Sequence, residues 1–384
     1  MSLIKVIQIH QSLNMGGIET MMVQLSNHID KNRYSVVVCS LSADSPKASE
    51  LNTDVEFFSL GYRTTQLRGF QLLFHFYSVL KKLGKLLSCV KPDVVHVHSY
   101  FTIYFLVSLA VRFYAKHSVV IKTVHTSGLF YSSDTLMKRF RVCVEQLATR
   151  LNNTYVVGIS EQVYDRCKQL FSKQSKNVFL IHNGVDLALF DSSINEDLRN
   201  ELTCGKELLA VYVARFDDGK NHDFLLYIWK QLKDCGLDKA KLLFVGDGLH
   251  FNRIKELIIK EKLSDIVNCL GRSSEIPKIL SVSDFALFPS DYEGFSLSLI
   301  EKMAAGLPVI ASDIPPFKEV ITDGINGFTL AINDVCAWKT VIAMMIENRE
   351  NRLKIGKAAR GRSRDFSVER MVTKYENLYA RGRL

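Results

Sequence analysis

The chain has 384 residues, is 47% hydrophobic and 23% charged, and carries a formal net charge of +9. Its length exceeds what one hydrophobic core commonly supports, so two domains are expected, and its composition excludes a disordered or low-complexity chain. Eight scattered cysteines without a Cys-x-x-Cys pair argue against a zinc site or a disulfide framework and for a reducing, cytoplasmic setting.

The opening MSLIKVIQIH reads as a buried strand, not a signal peptide. A glycine turn (NMGGIET) and a helix (TMMVQLSNHI) follow, then strands SVVVCSL and DVEFFSL. An amphipathic helix from Gly69 to Ser88 sets Leu72, Leu73, Phe76, Leu80, Leu83 and Leu87 on one face. The longest uncharged stretch, Val94 to Val111, holds His96, His98 and Ser99 and breaks into a strand and a helix, which argues against a transmembrane span. DVVHVH, SVVIKTVH and TYVVGIS are further strands. Val/Ile runs separated by helices describe a parallel sheet covered on both faces.

The pattern then restarts. NVFLIHNGVD, LLAVYVARF, KLLFVGDG, VNCLGR, FALFPS, LPVIAS and GFTLA read as strands, with helices near 223–233, 249–262, 276–280, 296–305 and 316–321. The last stretch is a basic amphipathic helix. The expected architecture is α/β, two Rossmann-like doubly wound domains, 1–175 and 176–365, with 366–384 returning to the first. Charge divides with them: residues 1–190 are net +9, 191–348 net −7 and 349–384 net +7.

Four clusters bear chemistry. Gly16 and Gly17 open a helix after the first strand, either as a plain turn or as a place where backbone N–H groups approach a phosphate. The spacing is not G-x-G-x-x-G, which counts against a nicotinamide or flavin cofactor. Arg215 and Lys220 follow a strand, either as a solvated loop or as a two-cation clamp for a leaving diphosphate. Glu293 lies in the loop after a later strand and Glu301 in the following helix. Eight helical residues would span about 12 Å, too far for the roughly 5–9.5 Å of a glycosidase pair. The two carboxylates suit opposite ends of one ligand, with the N–H groups of Gly294, Phe295 and Ser296 for phosphate oxygens; Glu301 alone would read as an exposed helix residue. His96, His98 and His125 could form a metal set, bind a substrate hydroxyl or pack structurally; no neighbouring carboxylate completes a metal sphere.

Together these pieces resemble glycosyltransferase family 4, the retaining GT-B enzymes, over nearly the whole chain. The resemblance rests on GGIE at 16–19, His125, HNGVD at 182–186, ARxxxxKN at 214–221, GDG at 246–248 and EGFSLSLIE at 293–301 before AAGLPVIAS. It implies a cleft between two Rossmann-like domains, with the acceptor on the first and a nucleotide-diphosphate sugar, commonly a UDP-sugar, on the second. By position, Glu293 would hold donor-sugar hydroxyls and Glu301 the ribose. Arg215 and Lys220 would clamp the diphosphate with the N–H groups of Gly17 and of Gly294 to Ser296, and His125 would face the sugar and acceptor. HNGVD would lie near the hinge. Ser296 departs from the Gly or Pro of many members, which puts the sugar contacts in doubt. No metal or other cofactor is implied. The acceptor would be a glycan or lipid-linked molecule in cell-surface polysaccharide synthesis. The positive first domain, with Lys81, Lys82, Lys85 and Lys91 near an apolar helix face, would rest on anionic lipid or be an ordinary solvated surface. Rival readings are a nucleotide-sugar epimerase and a non-catalytic nucleotide-sugar binder. A nucleic-acid partner has only the basic pI in its favour.

Overall fold

The computed structural model describes residues 3–62, 70–98, 101–126, 136–191 and 194–381. It divides the chain into two units, 1–184 with 368–384, and 185–367.

The first unit holds strands β1 (Ile4–His10), β2 (Tyr34–Ser42), β3 (Glu56–Tyr62), β4 (Val94–Val97), β5 (Val119–Val124), β6 (Tyr155–Gly158) and β7 (Val178–Leu180). Its helices are α1 (Gly17–His28), α2 (Phe70–Val90), α3 (Phe101–Tyr114), α4 (Leu136–Leu151) and α5 (Glu161–Leu170). The second unit holds β8 (Leu208–Val213), β9 (Ala240–Val245), β10 (Val267–Gly271), β11 (Phe285–Phe288), β12 (Val309–Ser312) and β13 (Phe328–Leu330). Its helices are α6 (Glu196–Thr203), α7 (His222–Asp234), α8 (Phe251–Lys260), α9 (Ile276–Ser281) and α10 (Leu297–Ala304), then α11 (Pro315–Lys318), α12 (Val335–Glu347) and α13 (Arg349–Ser363). Helix α14 (Val368–Arg381) belongs to the first unit again.

Every strand pair in the two sheets is parallel, with orders β3-β2-β1-β4-β5-β6-β7 and β10-β9-β8-β11-β12-β13. Side-chain alternation splits the first core in two. Val6, Val36, Val38 and Val94 face α1 and α14, through Met21, Leu25, Met371 and Tyr375. Ile7, Ile9, Val37 and Val95 face α2 and α3, through Leu83, Leu87, Val107 and Val111. Phe76, Leu80, Leu83 and Leu87 all pack in this second layer, as their spacing predicts; Gly69 and the side chains of Leu72 and Leu73 lie outside the described residues.

The expected boundary after residue 175 needs correction. Residues 178–180 pair with β6 as the last strand of the first sheet, so that unit runs on to Gly184 and the division falls inside HNGVD. The return of the terminal helix is seen: the Tyr379 hydroxyl lies 2.7 Å from His96 Nδ1, and the Tyr34 hydroxyl donates to the Glu376 carbonyl at 3.0 Å.

Candidate functional site

In the second sheet the chain winds outward one way from β8 and the other way from β11, and these two strands are neighbours. The loops leaving their carboxyl ends flank a crevice, the usual ligand position in an open parallel sheet. The β8 loop carries Arg215 and Lys220, and the β11 loop carries Glu293, Gly294, Phe295 and Ser296.

The two loops are sewn together. Asp291 N–H donates to the Gly219 carbonyl at 2.9 Å, and Asn221 Nδ2 donates to Pro289 O at 2.7 Å and Asp291 Oδ1 at 2.6 Å. Gly219 has φ +74°, a left-handed backbone that favours glycine, and a Cβ there would also press on the exposed Tyr292 ring at 2.6 Å. Across this seam Lys220 Nζ stands 2.5 Å from Glu293 Oε1, with the two side chains 18% and 19% exposed. Arg215 is 76% exposed and rests 2.7 Å from Asp217 Oδ2.

Helix α10 begins beside Glu293. Its N-cap, Ser296, makes no side-chain capping bond, and no acid occupies the first turn. The helix therefore presents N–H groups and a positive dipole end suited to an anion. Phe295 is turned inward, its ring 5.4 Å from that of Phe366, so it offers a ligand its backbone only. Glu301 sits part-buried in the helix.

Gly16, Gly17 and His125 belong to the first unit. Nothing lies within 4 Å of a Cβ built on Gly17, whereas one on Gly16 would strike Glu19 Oε2 at 2.5 Å. The bare surface of Gly16 thus accommodates Glu19, and the open side of the turn is at Gly17. His125 is buried, and desolvation lowers it to about 3, so the ring is neutral. His96 is enclosed, its ring nitrogens 2.7 Å from the Tyr379 hydroxyl and 2.8 Å from Thr123 Oγ1, so packing accounts for it. Among the described residues, no three His, Cys, Asp or Glu side chains are grouped to hold a metal.

Two family descriptions match successive parts of the chain: Glycosyltransferase Family 4 over residues 15–189 and Glycosyl transferases group 1 over residues 193–362. The chain belongs to glycosyltransferase family 4. Similar proteins include the putative glycosyltransferase EpsF of Bacillus subtilis, 28% identical over 88% of this chain and 87% of that one. Another is the Escherichia coli UDP-Gal:alpha-D-GlcNAc-diphosphoundecaprenol alpha-1,3-galactosyltransferase, 25% identical over 98% and 97%. The fold matches Anabaena HepE, solved in complex with UDP, at a TM-score of 0.79 and 19% identity over 98% of this chain and 100% of that one. The architecture is GT-B.

Two residues of this glycosyltransferase were given no role from the sequence. Lys302 is fully buried on the inner face of α10, where Nζ donates to Ser298 and, at 3.4 Å, to the Val213 carbonyl at the end of β8. Desolvation lowers its ammonium to about 8. Its polarity suggested a surface position, and only the fold shows that it joins strand end to helix start. Asn221 adopts φ +54°, a left-handed conformation that asparagine tolerates, and this aims its amide across the seam. The adjacent Lys-Asn pair was its one visible sign. No helix among the described residues is long and apolar enough to cross a membrane.

Proposed function

We propose that the enzyme transfers a hexose, with retained anomeric configuration, from a UDP-sugar to a glycan or lipid-linked acceptor of cell-surface polysaccharide synthesis. The observation that carries this reading is the Lys220–Glu293 contact at the switch point of the second sheet, beside the uncapped start of α10. It puts a cation for phosphate and a carboxylate for sugar hydroxyls on adjacent loops. The relatives support the donor class: one is named as a UDP-galactose enzyme acting on a diphosphoundecaprenol-linked sugar, and another was solved with UDP.

Lys220 and Arg215 neutralise the diphosphate as its negative charge grows, and the N–H groups of α10 take phosphate oxygens. Glu293 accepts the sugar hydroxyls and Glu301 the ribose hydroxyls. The acceptor oxygen forms its bond to the anomeric carbon on the face from which the diphosphate leaves, and the hydroxyl proton departs with a phosphate oxygen. The residues supply the charge that a divalent ion supplies elsewhere, so no metal is required.

The acceptor side extends to a membrane. Helices α2, α3 and α4 pack side by side on one face of the first sheet. Their described outer surface exposes Lys81, Lys82, Lys85, Arg112, Arg139, Arg141 and Arg150, together with Phe74, Tyr77, Phe113 and Phe140. The one acid in the three helices, Glu145, is buried against Lys122. A basic face with exposed aromatic rings and no exposed carboxylate suits anionic lipid.

The deciding experiment screens UDP-, GDP- and ADP-sugars by thermal shift, then follows transfer with and without EDTA. Stabilisation by UDP-sugars and an EDTA-insensitive product retaining the donor's anomeric configuration are expected. Epimer formation without an acceptor, or binding without turnover, would overturn the reading.

A further inference from the structure

Lys302 lies in the second half of α10, and its side chain runs back toward the start of the helix, as long helical side chains do. Nζ ends in the first turn, where it donates to the Ser298 hydroxyl and, at 3.1 Å, to the Ser298 carbonyl. It also reaches the Val213 carbonyl at 3.4 Å, to which the Ser298 hydroxyl donates in turn at 3.3 Å. The Phe288 ring at the end of β11 covers it, its centre 4.6 Å away. The ammonium thus stands where the ends of β8 and β11 meet the start of α10, and none of it is exposed.

This is a poor place for a cation. Burial strips its water, and its three N–H groups meet neutral acceptors only; among the described residues no carboxylate is in ion-pair contact with it. The first turn of a helix is the positive end of the dipole, which stabilises anions. The charges that act on it are Glu301 on its own helix and Glu293 and Lys220 on the two loops, the acids favouring the ammonium and Lys220 opposing it. Burial outweighs them and lowers Lys302 to about 8. A methionine would fill the same space without these costs. All of them diminish once an anion is seated on the open N–H groups of this turn, because surroundings that penalise a lone buried charge strengthen its attraction to an opposite one.

We infer that Lys302 is a third cation for the nucleotide diphosphate, acting through the first turn of α10 without touching the ligand. This deepens the sugar-transfer reading and rests on it. Arg215 and Lys220 meet the phosphates from the β8 loop. Lys302 is a positioning residue: it ties the first turn of α10 to the end of β8, the strand from which that loop departs, and adds its charge to the helix dipole. Linkage then works in both directions. Phosphate binding makes Lys302 hold its proton more firmly, so UDP takes up a proton on binding at about pH 8.5, and UDP affinity declines as pH rises through about 8.

The test titrates UDP and uridine into full-length wild type, Lys302→Met and Lys302→Gln by calorimetry at neutral pH, with circular dichroism and melting temperature to check folding. Glutamine keeps a polar head without the charge and guards against a misfolded methionine variant. UDP affinity is expected to fall about tenfold in both variants while uridine stays within about twofold. UDP titrations at about pH 8.5 in buffers of different ionisation enthalpy should show proton uptake by the wild type that both variants lose. Unchanged UDP affinity in a folded variant would overturn the inference. So would equal losses for UDP and uridine, which would make Lys302 a support of the nucleoside seat, and so would wild-type binding of UDP without proton uptake. These outcomes leave the sugar-transfer reading standing, whereas a wild type that binds none of UDP, GDP and ADP would bring that reading down.

Discussion

Lys220 and Glu293 are 73 residues apart in the chain, on loops after different strands, and their charged atoms stand 2.5 Å apart. The cation is held by the carboxylate. In the proposed function, the phosphate of the donor would take the lysine and its sugar hydroxyls the glutamate.

Lys220→Ala should cost transition-state stabilisation more than folding. Loss of one charge-assisted contact is worth about 1.5–3 kcal/mol, or roughly ten- to a hundredfold in kcat/KM. Steady-state kinetics with the accepted donor measure it. A fall confined to melting temperature would assign the pair a structural role.

The two carboxylates should separate by ligand. Glu301→Ala is expected to weaken UDP and UDP-sugar alike, whereas Glu293→Ala should weaken the sugar nucleotide and spare free UDP. Calorimetric titration of both ligands into both variants decides; equal losses would contradict the assignment.

Vesicle binding should follow charge. Full-length protein is expected to sediment with anionic phosphatidylglycerol vesicles at about 50 mM salt and to be released at about 500 mM, where screening is short-ranged. Replacing Lys81, Lys82 and Lys85 with Glu should abolish sedimentation without changing UDP affinity. Retention of this variant on the vesicles would refute the proposed face.

Acid should destabilise the protein through its buried histidines. Burial lowers His125 and His222 to about 3 and holds His96 and His98 well below their ordinary value. The unfolded chain binds protons near pH 6.5 and the folded one does not, so stability falls as pH drops below that value toward the folded pKa. His125 and His222 each cost about 2 kcal/mol at pH 5. Melting temperature should therefore decline steeply from about pH 6.5 to 5, and His125→Gln should flatten the slope. A pH-independent melting temperature over that interval would exclude the effect.

Much of the fold was legible because parallel sheets bury both faces and write Val/Ile runs into the sequence, as in SVVVCSL and LLAVYVARF. The three-residue β7 was misassigned because so short a run, just before HNGVD, carries no periodicity of its own. The site residues were legible as residue types on loops, but not as contacts. Nothing in the spacing of Lys220 and Glu293 states that β8 and β11 are neighbours; strand order decides that. Lys302 was opaque for a related reason, since burial inverts what its polarity suggests: the lysine lies on the buried face of α10. Gly16 looked like room for phosphate until the fold showed Glu19 occupying that room.

The docking of α14 has a consequence for biosynthesis. Tyr375, Tyr379 and Met371 complete one face of a sheet whose strands lie within residues 4–180. On the ribosome those strands emerge early, yet the helix that covers them is translated only after the entire second unit. The nascent first unit must therefore wait with an apolar flank uncovered, and the portion made first is the portion finished last.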